Sequence, residues 1–189
     1  AEAGFERYHL LGHSMGGAVV QEIALRSPGR LLSLTLHDTT YRFGMSNIEI
    51  VRKYYEGRHR MAEEHGMAAV AEMPALIPPP PHMPAERQVE TKARLARMSV
   101  DAFIGAWQAL ESWVGTEDRA HGIEAPTMVI HGGLDAPFIE PAKWFAKTIP
   151  GTVVEVVPET GHAPQFERPA LFNAALRRHL DRNAGAAAK

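Results

Sequence analysis

The chain has 189 residues, enough for one domain with a sizeable core, and no cysteine, which excludes disulfides, thiolate metal sites and a cysteine nucleophile. With 20 basic against 22 acidic residues, its formal charge of −2 gives no electrostatic reason to expect nucleic acid or an anionic membrane as a partner. No apolar run is long enough to span a membrane and the first residues lack a charged-then-apolar signal pattern, so a cytoplasmic protein is expected.

In chain order, Tyr8-His9-Leu10-Leu11 reads as a short apolar strand ended by Gly12. Val19, Val20, Ile23 and Ala24 recur at helical spacing, and Ser27-Pro28-Gly29 ends that helix. Leu31 to Leu36 reads as a buried strand. A helix between two short apolar strands is the pattern of a parallel βαβ unit. Met45 to Met73 is helical in pattern, with Gly57 and Gly66 as weak points, and Pro78 to Pro81 forces an extended loop. Pro84–Met98 and Val100–Val114 read as two further helices, the second with Phe103, Trp107 and Leu110 on one stripe. The βα texture then resumes: a strand at Thr127–His131, a helix at Pro141–Thr148, a β-branched strand at Thr152–Val157, and a last helix from Pro169 to about Leu180. The expected division is a core over 1–40, a helical cap or lid over 41–118, core again over 119–182, and a frayed tail over 183–189.

Gly12-His13-Ser14-Met15-Gly16 has the form G-x-S-x-G and lies between an expected strand and an expected helix. That setting places a serine on a strained strand-to-helix turn, its Oγ standing clear of the sheet edge. Gly12 and Gly16 are expected to let strand and helix approach without Cβ clashes. The Met15 N–H, at the start of the helix, is the expected oxyanion donor. A serine needs a base, and the base an orienting acid. His162 follows the last strand, and Asp135 follows the strand before it. In a parallel sheet both share the edge that carries Ser14. Asp38, just past the second strand, is the rival acid. His13, Phe103, Trp107 and Phe138 are candidate pocket residues. His37 and His131 read as structural. His59 and His65 beside Glu63 and Glu64 lack the His-Glu-x-x-His spacing, so no metal site is expected.

Leu11–Gly17, His131-Gly132-Gly133-Leu134-Asp135 and Gly161–Pro169 together resemble the nucleophile, acid and histidine segments of the α/β-hydrolase superfamily, in wording closest to its 3-oxoadipate-enol-lactonase-like and esterase-like members. The resemblance implies an α/β fold: a parallel sheet of about four strands with helices on both faces and a helical cap insertion. It implies a Ser-His-Asp acyl-enzyme mechanism on small carboxylic esters or lactones, without a cofactor. The alternatives are a carbon–carbon-bond hydrolase using the same triad, or an inert relative that only binds. In the family further strands, and a loop carrying a second oxyanion donor, precede the strand that here starts at Tyr8. A truncated sheet, weak activity of the isolated chain and a homo-oligomer completing the open edge are therefore expected.

Overall fold

A computed structural model describes residues 4–43, 48–75 and 83–185. The chain forms two compact units, one of residues 1–42 with 115–189 and one of 43–114.

The first unit is built on four parallel strands, β1 (Tyr8–His13), β2 (Leu31–His37), β3 (Thr127–Gly132) and β4 (Val153–Val157), side by side in chain order. The helices between and after them are α1 (Met15–Arg26), α5 (Ala136–Thr148), the short α6 (Pro164–Glu167) and α7 (Pro169–Asn183), and the remaining α-helices belong to the second unit. β3 is buried at every position and β2 at all but one, with no alternation. Both faces of these central strands are therefore covered, as crossover helices require of a parallel sheet. Met128 and Ile130 pack with Val157 against Phe172 and Ala175 of α7. Burying side chains of this size stabilises by roughly 1.5–3 kcal/mol each relative to exposure. Among the described residues β1 pairs only with β2, and Leu11 of β1 and Val19 of α1 are exposed.

The register aligns the strand ends. His13 pairs with His37, His37 with Ile130, and Gly132 with Val157. Parallel direction then puts the residues after all four strands at one rim.

The second unit holds α2 (Ile48–Glu72), α3 (Ala85–Ala96) and α4 (Val100–Ser112). Of the two expected weak points in α2, only Gly66 breaks the helix, with φ 78° and ψ 173°, while Gly57 stays helical. A residue in that conformation cannot carry the helical hydrogen-bond ladder, so two helical segments meet there. The stripe on α4 packs within its own unit: Phe103 joins Met61, Ala62, Met67 and Val70, and Trp107 stacks on Tyr55 at 3.9 Å. The expected proline loop, Pro78 to Pro81, lies outside the described residues, as does the end of the tail.

Candidate active site

Ser14 sits between β1 and α1 with φ 54° and ψ −120°. A non-glycine residue there costs about 1–3 kcal/mol and persists only where its surroundings hold it. Here the Ser14 N–H donates to the His37 carbonyl at 2.9 Å, and the Ser14 carbonyl accepts from Gly17 N–H at 2.9 Å and Thr39 Oγ1 at 2.8 Å. Strand end, helix start and the β2 loop thus fix one turn from three sides.

The glycines around it divide the work differently from the sequence expectation. A Cβ at Gly12 would come within 2.3 Å of the Gly16 carbonyl oxygen and 2.5 Å of Val20. A Cβ at Gly16 would meet nothing within 4 Å, whereas one at Gly17 would strike Thr39 Oγ1 at 2.2 Å. The close approach is made by Gly12 and Gly17, and Gly16 contributes its backbone rather than its missing side chain. Met15 is the first residue of α1, so its N–H has no acceptor within the helix.

The structure brings Ser14, His162 and Asp135 together. His162 Nε2 lies 2.9 Å from Ser14 Oγ, and His162 Nδ1 lies 2.6 Å from Asp135 Oδ2. Because an Asp135 carboxylate can only accept, the ring proton belongs on Nδ1, which leaves Nε2 free to accept from the serine hydroxyl. The Asp135 side chain is 1% exposed and that of His162 34%. Asp135 takes its place at the head of α5, and a Cβ at Gly132 would sit 2.0 Å from the Gly161 carbonyl oxygen. Only a glycine lets the acid loop and the histidine loop come so close.

Two candidate pocket residues touch the histidine. Phe138 stacks on its ring at 4.8 Å, and the His13 Nε2–H donates to the His162 carbonyl at 2.7 Å. Phe103 and Trp107 lie in the second unit. Behind the site sits a buried layer. The His13 and His37 rings are 4.4 Å apart, and burial lowers the pKa of both, that of His37 to about 2. Asp38 is fully buried with φ 41°, and its Oδ1 accepts from the Gly132 N–H at 3.0 Å. Burial, and then the Asp135 carboxyl beside it, push the Asp38 pKa up to about 9. Although His37 Nε2 lies 3.0 Å from Asp38 Oδ2, the contact is no ion pair, because burial keeps both groups neutral.

Asp38, Asp135 and His162 each offer an atom within 4.8 Å of the others, as do His13, His37 and Asp38, a spacing a cation could also use. Both ring nitrogens of His162 are already committed to Asp135 and Ser14, so a metal there would have to break the serine–histidine–aspartate chain.

Sequence reasoning passed over Glu167. It is 7% exposed, and its carboxylate accepts from the N–H groups on either side of His162: Gly161 at 2.9 and 3.1 Å and Ala163 at 3.1 Å. Its distance from His162 in the chain gave no sign of this, because the contact depends on the single turn of α6.

The chain is 28% identical over 186 residues to the dihydrolipoyllysine-residue acetyltransferase component of the acetoin cleaving system of Cupriavidus necator, covering 95% of this chain and 47% of that protein. It is 27% identical over 188 residues to the pimeloyl-[acyl-carrier protein] methyl ester esterase of Chromobacterium violaceum, covering 93% and 70%. A solved carboxylesterase structure from the thaumarchaeon Nitrososphaera gargenis superposes with a TM-score of 0.83 at 20% identity, over 98% of this chain and 69% of that one, a likeness of fold. The chain spans about half the length of the first relative and about 70% of the other two proteins. The sequence profile of the alpha/beta hydrolase family matches residues 1–175, and the chain belongs to that family.

Proposed function

We propose that the chain is a serine hydrolase of small carboxylic esters or lactones in which Ser14, His162 and Asp135 form the triad. One observation carries this reading: the His162 ring is hydrogen-bonded to a serine hydroxyl on one side and a buried carboxylate on the other. The ester preference is supported by the methyl ester esterase relative.

In this mechanism His162 Nε2 takes the Ser14 proton as Oγ attacks the substrate carbonyl. The Met15 N–H accommodates the oxyanion, and Asp135 stabilises the imidazolium through Nδ1–H. Collapse of the tetrahedral intermediate passes the His162 proton to the departing alkoxide and leaves an acyl-Ser14 ester. Water, deprotonated by His162, then releases the acid and restores the serine hydroxyl. The strained Ser14 backbone keeps Oγ presented before substrate arrives, so little reorganisation is needed at the reacting centre.

A fluorophosphonate probe tests the reading, because it modifies only an activated serine. Wild-type chain is expected to label, Ser14→Ala not at all. His162→Ala should lower turnover of nitrophenyl acetate by on the order of 10⁴-fold or more, and Asp135→Asn by about 10⁴-fold. Labelling that survives Ser14→Ala, or a wild-type chain that never labels, would end the proposal.

A further inference from the structure

Asp38 is the buried acid that the triad leaves unused. It follows β2 directly, between the strand that leads to Ser14 and the strand that leads to Asp135. Its backbone is held in the left-handed region, with its N–H donating to the Ile130 carbonyl at 3.0 Å. The side chain is fully buried, and its one hydrogen bond as an acceptor is at Oδ1, from the Gly132 N–H. Oδ2 accepts none, since His37 Nε2, though 3.0 Å away, is out of line for a hydrogen bond. An ionised carboxylate would therefore leave a bare charged oxygen away from water, which is among the costliest arrangements in a protein interior.

The Asp38 carboxyl lies beside that of Asp135, within the group in which Asp38, Asp135 and His162 each offer an atom no more than 4.8 Å from the others. Two buried carboxylates in contact do not both stay ionised; one keeps a proton and gives it to the other as a hydrogen bond. Asp135 faces the His162 N–H at 2.6 Å and is the better place for the charge. Asp38 faces no cation of its own: the neutral His37 comes from β2, the Asp135 and Glu167 carboxyls come from the head of α5 and from α6, and His162 is turned to Asp135.

We propose that Asp38 is a positioning residue that, as the neutral acid, donates a hydrogen bond from its carboxyl to the Asp135 carboxylate and so holds the acid of the triad in line with His162. The inference rests on the hydrolase reading for its catalytic consequence, while the shared proton itself can be observed without any turnover. Gly132 completes the arrangement: its N–H orients Asp38, and its lack of a side chain admits the histidine loop. When the shared proton leaves at alkaline pH, two adjacent negative charges push Asp135 away from its place. An asparagine at position 38 has the same shape and a permanent N–H donor, so it should not undergo that change.

The proton is tested by carbon-13 NMR of chain labelled at the aspartate carboxyls. One resonance is expected at the protonated position at pH 7, titrating near pH 9 and perturbed by Asp135→Asn. If every aspartate carboxyl is ionised at pH 7, the proposal is wrong, and this measurement on the wild type needs no variant at position 38 to fold. Its consequence is tested by the pH profile of fluorophosphonate labelling. Wild type should lose about tenfold in rate for each unit above about pH 9, as for a single essential proton. Asp38→Asn should hold its rate there, and Asp38→Leu should be impaired at every pH. An Asp38→Asn profile that falls with that of wild type overturns the positioning role. A wild type that never labels, but shows the protonated carboxyl, sinks the hydrolase reading and leaves the shared proton standing.

Discussion

Glu167 holds the backbone of His162, the base in the proposed triad, without touching its ring. Its two carboxylate oxygens collect the N–H groups of Gly161 and Ala163 and so clamp the backbone on both sides of His162. Each of those donors would be stranded by Glu167→Ala. A buried unsatisfied donor costs about 1–3 kcal/mol; the Gly161 N–H is buried and the Ala163 N–H only partly so, and the loss should be about 1–3 kcal/mol, set mainly by Gly161. In a chain of this size each 1 kcal/mol shifts the melting temperature by about 2–4 °C, which thermal denaturation followed by circular dichroism will read. Glu167→Gln keeps one acceptor oxygen and should lie between the two. The same substitutions should reduce kcat more than they raise KM, because they loosen the base rather than any substrate contact. A Glu167→Ala chain that melts within 2 °C of wild type would show the clamp to be idle.

At the scale of elements, the strand–turn–helix around Ser14 makes a contrast that can be measured. Gly12→Ala drives a methyl group into the backbone of α1, where neither the Gly16 carbonyl nor Val20 can move without shifting the helix. Overpacking of this kind costs about 1–3 kcal/mol or more. Gly16→Ala enters open space in a helical turn, where alanine is favoured over glycine by up to about 1 kcal/mol. Urea denaturation should therefore show Gly12→Ala destabilised and Gly16→Ala unchanged or stabilised. Equal losses at both would mean that the turn is tight on both sides.

What the sequence made legible here was what local pattern encodes. The apolar runs mark all four strands, Pro169 marks the start of α7, and G-x-S-x-G marks the turn. Boundaries set by tertiary contact were not legible. The sequence places the start of α5 at Pro141, yet the helix begins at Ala136 and runs through that proline, which removes only the hydrogen bond to the Pro137 carbonyl. The single turn of α6 is too short to show a period at all, and Glu167 was missed with it. That Ser14, Asp135 and His162 would meet was legible because strand ends in a parallel sheet share a rim. The roles of Gly17, Gly132 and Glu167 depend on approaches between loops far apart in the chain, which no local pattern records.

At the scale of the whole molecule, several titratable groups are buried in the unit of residues 1–42 and 115–189. Burial lowers the pKa of His13, His37 and His179, that of His37 to about 2, while burial raises that of Asp38 to about 9. For each histidine the folded form stays neutral where the unfolded chain, with its ordinary value of 6.5, already binds a proton. Their contribution is therefore intact above about pH 6.5 and is lost as pH falls, at up to about 1.4 kcal/mol per unit for each imidazole. Asp38 acts in the opposite direction. The folded chain keeps a proton that the unfolded chain has released above pH 3.8, so stability declines as pH rises from there to about 9. Just below pH 6.5 the three imidazoles act together against one carboxyl, and of these four groups only the carboxyl still acts above it. Stability is thus expected to peak near pH 6.5 and to fall on both sides of it. Urea titrations across that range measure both limbs. His37→Gln, which removes one group from the acid limb, should flatten it by up to about 1.4 kcal/mol per pH unit, and Asp38→Asn should level the alkaline limb. An acid limb that His37→Gln leaves equally steep would mean that His37 is protonated inside the fold, and the neutral layer behind the triad would have to be redrawn.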